Sequence, residues 1–166
     1  LAGVLIDEAI IKSDNKMGSD LEVFQLLDRA VNEDGANFKN PKAIYLYFSV
    51  LVDLNAAGQK DLDEVFAAYD VVKEKIDEEF ASLNKTAASL SDKQDSGTAL
   101  TSREERMLQV AENNSKVFNQ ISESIDVKLG NLANCDNLIP LYQRNFAAKK
   151  GDIRWVKGAV SRMFAK

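Results

Sequence analysis

The sequence has no histidine, a single cysteine and only two prolines in 166 residues. Without histidine, the usual imidazole metal sites and the triads built on an imidazole base are excluded within the chain. The lone thiol, Cys135, forms no internal disulfide, and in a helical chain it reads as a small buried apolar residue rather than a nucleophile. Two prolines and eight glycines leave long stretches without the turn punctuation that a β-sandwich needs. No uninterrupted apolar run approaches the roughly 18 to 20 residues that span a bilayer, so no transmembrane segment is expected. The first residues, Leu1 to Lys12, offer neither an initiator Met nor a basic leader and do not read as a signal peptide. Apolar periodicity begins at Leu1 and runs almost to Lys166, from which we expect both ends to continue in a longer protein.

What is present is a packed, helix-forming composition. Hydrophobic residues make up 45% and charged residues 28%, proportions of a folded domain rather than a disordered one, and they fit a single domain over 1–166. Leu1, Leu5, Ile6, Ala9 and Ile10 share one face of a first helix that should end near Lys12. Ser19 and Glu22 have capping-box spacing ahead of Leu21, Phe24, Leu27 and Val31, with a stop at Asp34-Gly35. Asn40-Pro41 starts a third helix carrying Ile44, Tyr47, Phe48, Leu51 and Val52, which ends at Gly58.

Asp61 and Glu64 cap a fourth helix in which Leu62, Val65, Phe66, Tyr69, Val72, Ile76, Phe80 and Leu83 recur at steps of three and four. Such a run is long for a globular helix. The polar segment from Ser91 to Leu100 reads as the tip of a hairpin. Beyond it, Thr101 and Glu104 cap a fifth helix with Met107, Val110, Ala111, Val117, Phe118, Ile121, Ile125 and Leu132 on the face expected to pack along the fourth. Asp136 and Asp152 are placed to cap a sixth and a seventh helix. The sixth has Pro140 in its first turn and Leu138, Leu141, Tyr142 and Phe146 inward, and Gly151 ends it. The seventh has Ile153, Val156, Val160 and Met163 inward and Trp155 beside them. The expectation is an all-α fold of about seven helices joined by mostly short loops.

Helix starts about 20 residues apart are the spacing of helix-turn-helix repeat arrays. The stretch Pro41-Lys-Ala-Ile-Tyr-Leu-Tyr-Phe-Ser-Val-Leu, followed by Leu62-Asp-Glu-Val-Phe-Ala-Ala-Tyr, resembles a degenerate tetratricopeptide repeat. Ile44, Tyr47, Leu51 and Tyr69 stand at places like the repeat's large apolar positions. The pattern departs from that repeat at Phe48, where a small residue is expected, at Val65, where Ala is usual, and in the length of the fourth helix. Through the segments Lys128 to Phe146 and Trp155 to Phe164 above all, the whole chain resembles the amino-terminal part of exported tetratricopeptide-repeat-like proteins of Bacteroides-type bacteria. The resemblance implies antiparallel helix pairs stacked as a right-handed superhelix with one extended hairpin, and a partner-binding scaffold exported to the periplasm or envelope. It brings no catalytic motif and no cofactor. On that reading Cys135 has the option of pairing with a cysteine outside the chain.

The sequence contains no Gly-rich phosphate loop, Gly-x-Ser-x-Gly elbow, Cys-x-x-Cys pair or EF-hand loop. The carboxylates of Asp77-Glu78-Glu79 and Glu104-Glu105 are neighbours in sequence and point in different directions on a helix, so they read as solvated faces rather than acid/base pairs. Core packing is the simpler account of most aromatics. Tyr45 differs, because it lies off the stripe through Ile44, Tyr47, Phe48 and Leu51. Since repeat arrays bind peptides on the outward residues of the first helix of each pair, Lys42, Tyr45 and Ser49 are the candidates for a groove.

Charge is uneven along the chain. From Arg144 to Lys166 there are seven basic residues against Asp152 alone, a net +6, which leaves −11 on the rest of a chain whose total is −5. Arg154, Trp155 and Lys157 are therefore the candidates for an alternative function, a binding module for a ligand or an anionic surface. The acidic whole, with a pI near 4.9, argues against general nucleic-acid binding. The leading expectation is a non-catalytic scaffold for a protein or peptide partner, without cofactor or metal.

Overall fold

Helices begin where a short polar side chain can take up the free amides of a helix N-terminus. The computed structural model describes residues 1–132, which form five α-helices and a single 3-10 turn; no strand occurs among these described residues. Helix α1 spans Ala2–Asp14 and α2 spans Asp20–Asp34, followed by the 3-10 turn Gly35–Asn37. Helices α3, α4 and α5 span Pro41–Ala56, Leu62–Asp95 and Ser102–Leu132. The expected sixth and seventh helices, and Cys135, lie outside the described residues.

Four starts follow the local chemistry. The Asn40 side chain accepts from the amides of Lys42 and Ala43, with Pro41 in the first turn where its missing N–H is not needed. Asp61 and Glu64 form a complete capping box. So do Thr101 and Glu104, each side chain accepting from the other's amide at 3.2 Å. At α2 only half of the expected box forms. Ser19 accepts from the Glu22 amide, while the Glu22 carboxylate lies 3.6 Å from Lys12 of α1.

Helix ends have their own chemistry. After α3, Gly58 has φ +77°, its amide donates to the Asn55 carbonyl, and Gln59 donates back to Leu54, the paired bonds of a Schellman stop. The same pair of bonds ends α1, where Lys16 donates to Ser13 and Met17 to Lys12. There the left-handed position is held by Lys16 at φ 51°, the one non-glycine residue with positive φ among the described residues. A Cβ in that conformation costs about 1 kcal/mol. Lys16→Gly is therefore expected to raise stability by about 0.5–1 kcal/mol, read from urea unfolding; a loss of stability would contradict this account of the stop.

Two expectations need correction. The segment Ser91–Leu100 is not all tip: α4 continues to Asp95, because Asp, Lys and Gln continue a helix until Gly97 (φ +82°) takes the left-handed position. In α1 the buried face is Ala2, Leu5, Ile6 and Ala9, and Leu1 lies outside it in solvent.

Packing centres on α3, which touches α1, α2, α4 and α5. Ala43, Ile44, Tyr47, Phe48, Val50, Leu51 and Leu54 are buried around it, so several of its faces meet protein. Phe24 of α2 stacks on Tyr47 with centroids 5.5 Å apart, and Phe38 meets Tyr47 edge-on at 6.0 Å. On the other side Phe48 meets Tyr69 of α4 edge-on at 6.0 Å. Such aromatic pairs add about 0.5–1.5 kcal/mol to their area burial.

Helices α4 and α5 run antiparallel. Their successive contacts are Lys93 to Glu104 near the tip, Phe80 to Phe118 in the middle, and Tyr69 to Asp126 near the base. From the middle of the hairpin to its base the two helices belong to the main core, through Phe118, Ile125 and Leu129, with Phe80, Leu83 and Ile121 packed against it. Leu90 and Ala111, further out, are buried without joining that cluster. The outer hairpin is thus a two-helix arm carried by the body.

Candidate functional site

Helix α3 presents Lys42, Tyr45 and Ser49 on one side, as positions three and four apart on a helix require. Lys42 is exposed and pairs with Asp14 of α1 at 2.6 Å. Tyr45 and Ser49 are half-buried, with the Tyr45 ring against the core. Asp53, further along α3, is 3.4 Å from Lys128 of α5. This side of α3 is thus a polar seam tied to α1 and α5, and the three sequence candidates do come together on it. Arg154, Trp155 and Lys157 lie outside the described residues.

The structure places a different surface on the arm. The face of α5 expected to pack along α4 includes Met107, Val110 and Val117, yet all three are exposed. Ala111 is buried and Leu108 half-buried, so the packed stripe is displaced by one residue from the one through Met107. Met107 and Val110 instead form one wall of an open groove of about 470 Å³. Leu83 and Thr86 of α4 supply the other wall, and Arg103 and Arg106 stand on the lip. Both arginines are exposed, and neither forms an ion pair with any described residue.

The arm is held in place by polar contacts at both ends. At the tip, Lys93 donates to both oxygens of Glu104, at 2.7 and 2.8 Å. That bond, then the amide and hydroxyl of Thr101, lower the Glu104 carboxyl below the usual carboxylate range. At the base, Lys73 reaches Ser122 at 2.6 Å and Asp126 at 3.3 Å, while the Tyr69 hydroxyl donates to Asp126 at 2.9 Å. These partners are 49 to 57 residues apart, a separation that helical periodicity does not reveal. They read as structural contacts, since each links α4 to α5 and none faces the groove.

Two further carboxylates, Asp28 and Asp34, order the body. The Tyr47 hydroxyl donates to Asp28 at 3.0 Å. Burial, and then the Asp28 carboxylate, push the Tyr47 phenol far above the usual tyrosine range. Asp34 accepts from the Ala2 amide at 3.1 Å and from Asn37 at 2.8 Å, contacts that hold its carboxyl below the ordinary value. No group of three or more His, Cys, Asp or Glu placed to hold a metal ion occurs among the described residues. Likewise, no described helix is long and apolar enough to cross a membrane.

Chemically, the groove can do one thing well. It offers apolar contact area bounded by two guanidinium groups, which suits an amphipathic helix or strand bearing carboxylates. Comparison with known protein families, with curated proteins and with solved structures finds no match for this chain.

Proposed function

We propose that this chain is a non-catalytic helical scaffold that binds a protein or peptide partner, with the groove on the α4–α5 arm as its docking surface. The observation that carries this reading is Met107 and Val110, 45% and 55% exposed, side by side beneath Arg103 and Arg106, which pair with no described residue. Apolar side chains grouped in an open groove and rimmed by charge are a mark of an interaction site. The partner is an amphipathic segment with acidic residues, whose apolar side fills the groove and whose carboxylates meet the arginines.

The tetratricopeptide-like array belongs to this proposal. Its support is that α3 lies against α1 and α5 as well as against α2 and α4, the neighbour relations expected of stacked helix pairs. The great lengths of α4 and α5 are unlike the helices of ordinary repeats and produce the arm. A location in the cell envelope is proposed on the sequence resemblance alone.

A photoreactive phenylalanine analogue in place of Met107, in the full chain and in a native extract, tests the reading. The expected result is a defined adduct with a polypeptide, reduced about tenfold when Val110→Asp is added, since a charge in the groove opposes apolar docking by more than about 1.4 kcal/mol. An adduct unaffected by Val110→Asp, or none at all, overturns it. Both positions are exposed, so loss of folding does not confuse the outcome.

A further inference from the structure

Helix α1 carries a surface that fits the groove. Its inner face, Ala2, Leu5, Ile6 and Ala9, is buried, which holds the helix firmly on α2 and α3. Its outer face presents Val4 and Ile11, 70% and 56% exposed, with exposed Asp7 and Glu8 between them. Neither carboxylate forms an ion pair with a described residue.

The spacing is the same on the two surfaces. Val4, Asp7, Glu8 and Ile11 stand at i, i+3, i+4 and i+7, and so do Arg103, Arg106, Met107 and Val110. Each set makes a two-turn ridge about 10 Å long at a rise of ~1.5 Å per residue. One ridge is apolar at its ends with two acids at its centre; the other has two bases and two apolar residues against an apolar wall. Of the acids near the groove, Glu104 is held by Lys93, and Glu105 projects about 160° round the helix from Arg103 at ~100° per residue. The lip is therefore basic on the side that faces the groove.

We infer that α1 of one copy of this chain docks in the α4–α5 groove of a second copy. The inference rests on the groove being a docking surface and names its occupant. Among the described residues of one chain both surfaces are open to solvent, so the contact is between copies. It joins two different patches, a heterologous contact that adds copies head to tail as a ring or a short chain. Two helical turns bury far less than the about 1,200–2,000 Å² of a stable interface. Association is accordingly weak, with a Kd on the order of 100 µM.

Charge reversal on the full chain tests this by sedimentation. The wild-type average mass is expected to rise at least about twofold between ~10 µM and ~500 µM. Arg103→Glu with Arg106→Glu, or Asp7→Arg with Glu8→Arg, each removes that rise, because every contact then opposes like charges. Mixing the two variants restores it, since the acidic groove of one accepts the basic α1 of the other; this recovery also shows that both variants are folded. A wild-type chain that stays monomeric at ~500 µM, association that survives either reversal, or a mixture that fails to recover overturns the inference. If the wild type is monomeric while Met107 still yields a Val110-dependent adduct with another polypeptide, the docking surface stands and only this occupant falls.

Discussion

Phe48→Ala is expected to lower the unfolding free energy by about 3–5 kcal/mol, a fall in melting temperature of roughly 10 °C for a chain of this size. Phe48 is fully buried on α3, the helix that every other described α-helix touches. Its ring fills the space towards α4, where Tyr69 meets it edge-on. Removing it takes away both the buried area and the aromatic contact, and a close-packed interior recovers little by relaxing. Calorimetry on Phe48→Ala beside Val4→Ala makes the comparison internal, because the exposed Val4 should change stability by no more than about 0.5 kcal/mol. A loss below about 1 kcal/mol at Phe48 would mean that α3 and α4 are not packed as described.

Tyr47→Phe is expected to change sign in its effect as pH rises. At pH 7 the variant is less stable by about 1 kcal/mol, because the hydrogen bond to Asp28 is lost. Both folded and unfolded wild-type chains hold the phenolic proton there, so this group adds no pH dependence. Above pH ~10 the unfolded tyrosine ionises, while in the folded chain burial and the Asp28 carboxylate keep Tyr47 protonated. The folded state then binds more protons than the unfolded one, and wild-type stability falls with rising pH by up to ~1.4 kcal/mol per unit. Phenylalanine has no proton to lose. Urea unfolding at pH 7, 10 and 11.5 should therefore show a shallower alkaline decline in Tyr47→Phe, with parallel declines contradicting the role assigned to this phenol.

Helix positions were legible because their determinants are local. Ser19, Asn40, Asp61 and Thr101 each stand beside the amides they cap, and Gly58 and Gly97 mark stops that a Cβ would strain. The stripe through Ile44, Tyr47, Phe48 and Leu51 was legible for the same reason. Phe38 was not, although it is fully buried. It lies between two helices, where no periodic neighbours point to the core, and its one signal is a large aromatic in an otherwise polar connection. The Lys73–Asp126 pair was equally invisible, since it depends on where two long helices come to lie.

The groove shows the sharper limit. Met107, Val110 and Val117 form an apolar stripe that sequence reasoning assigns to packing, because periodicity reports one face and not whether a neighbour covers it. From Phe118 to the base α5 meets the body as well as α4, and Phe118, Ile125 and Leu129 are buried there. Further out α4 is the partner that the hairpin provides, Ala111 takes the inner position, and Met107 and Val110 are left open. The candidates on α3 met the reverse situation: Lys42 was outward as expected, but Asp14 pairs with it and the core takes up part of Tyr45.

The measurement that bears most directly on the docking role of the arm is a side-by-side comparison of photoreactive residues at positions 107 and 45 of the full chain, exposed to the same extract. Adducts at 107 are expected to exceed those at 45 by far, whether the captured polypeptide is a second copy or another protein. Adducts concentrated at 45, with none at 107, would move the binding surface to the polar side of α3 and contradict a docking role for the arm.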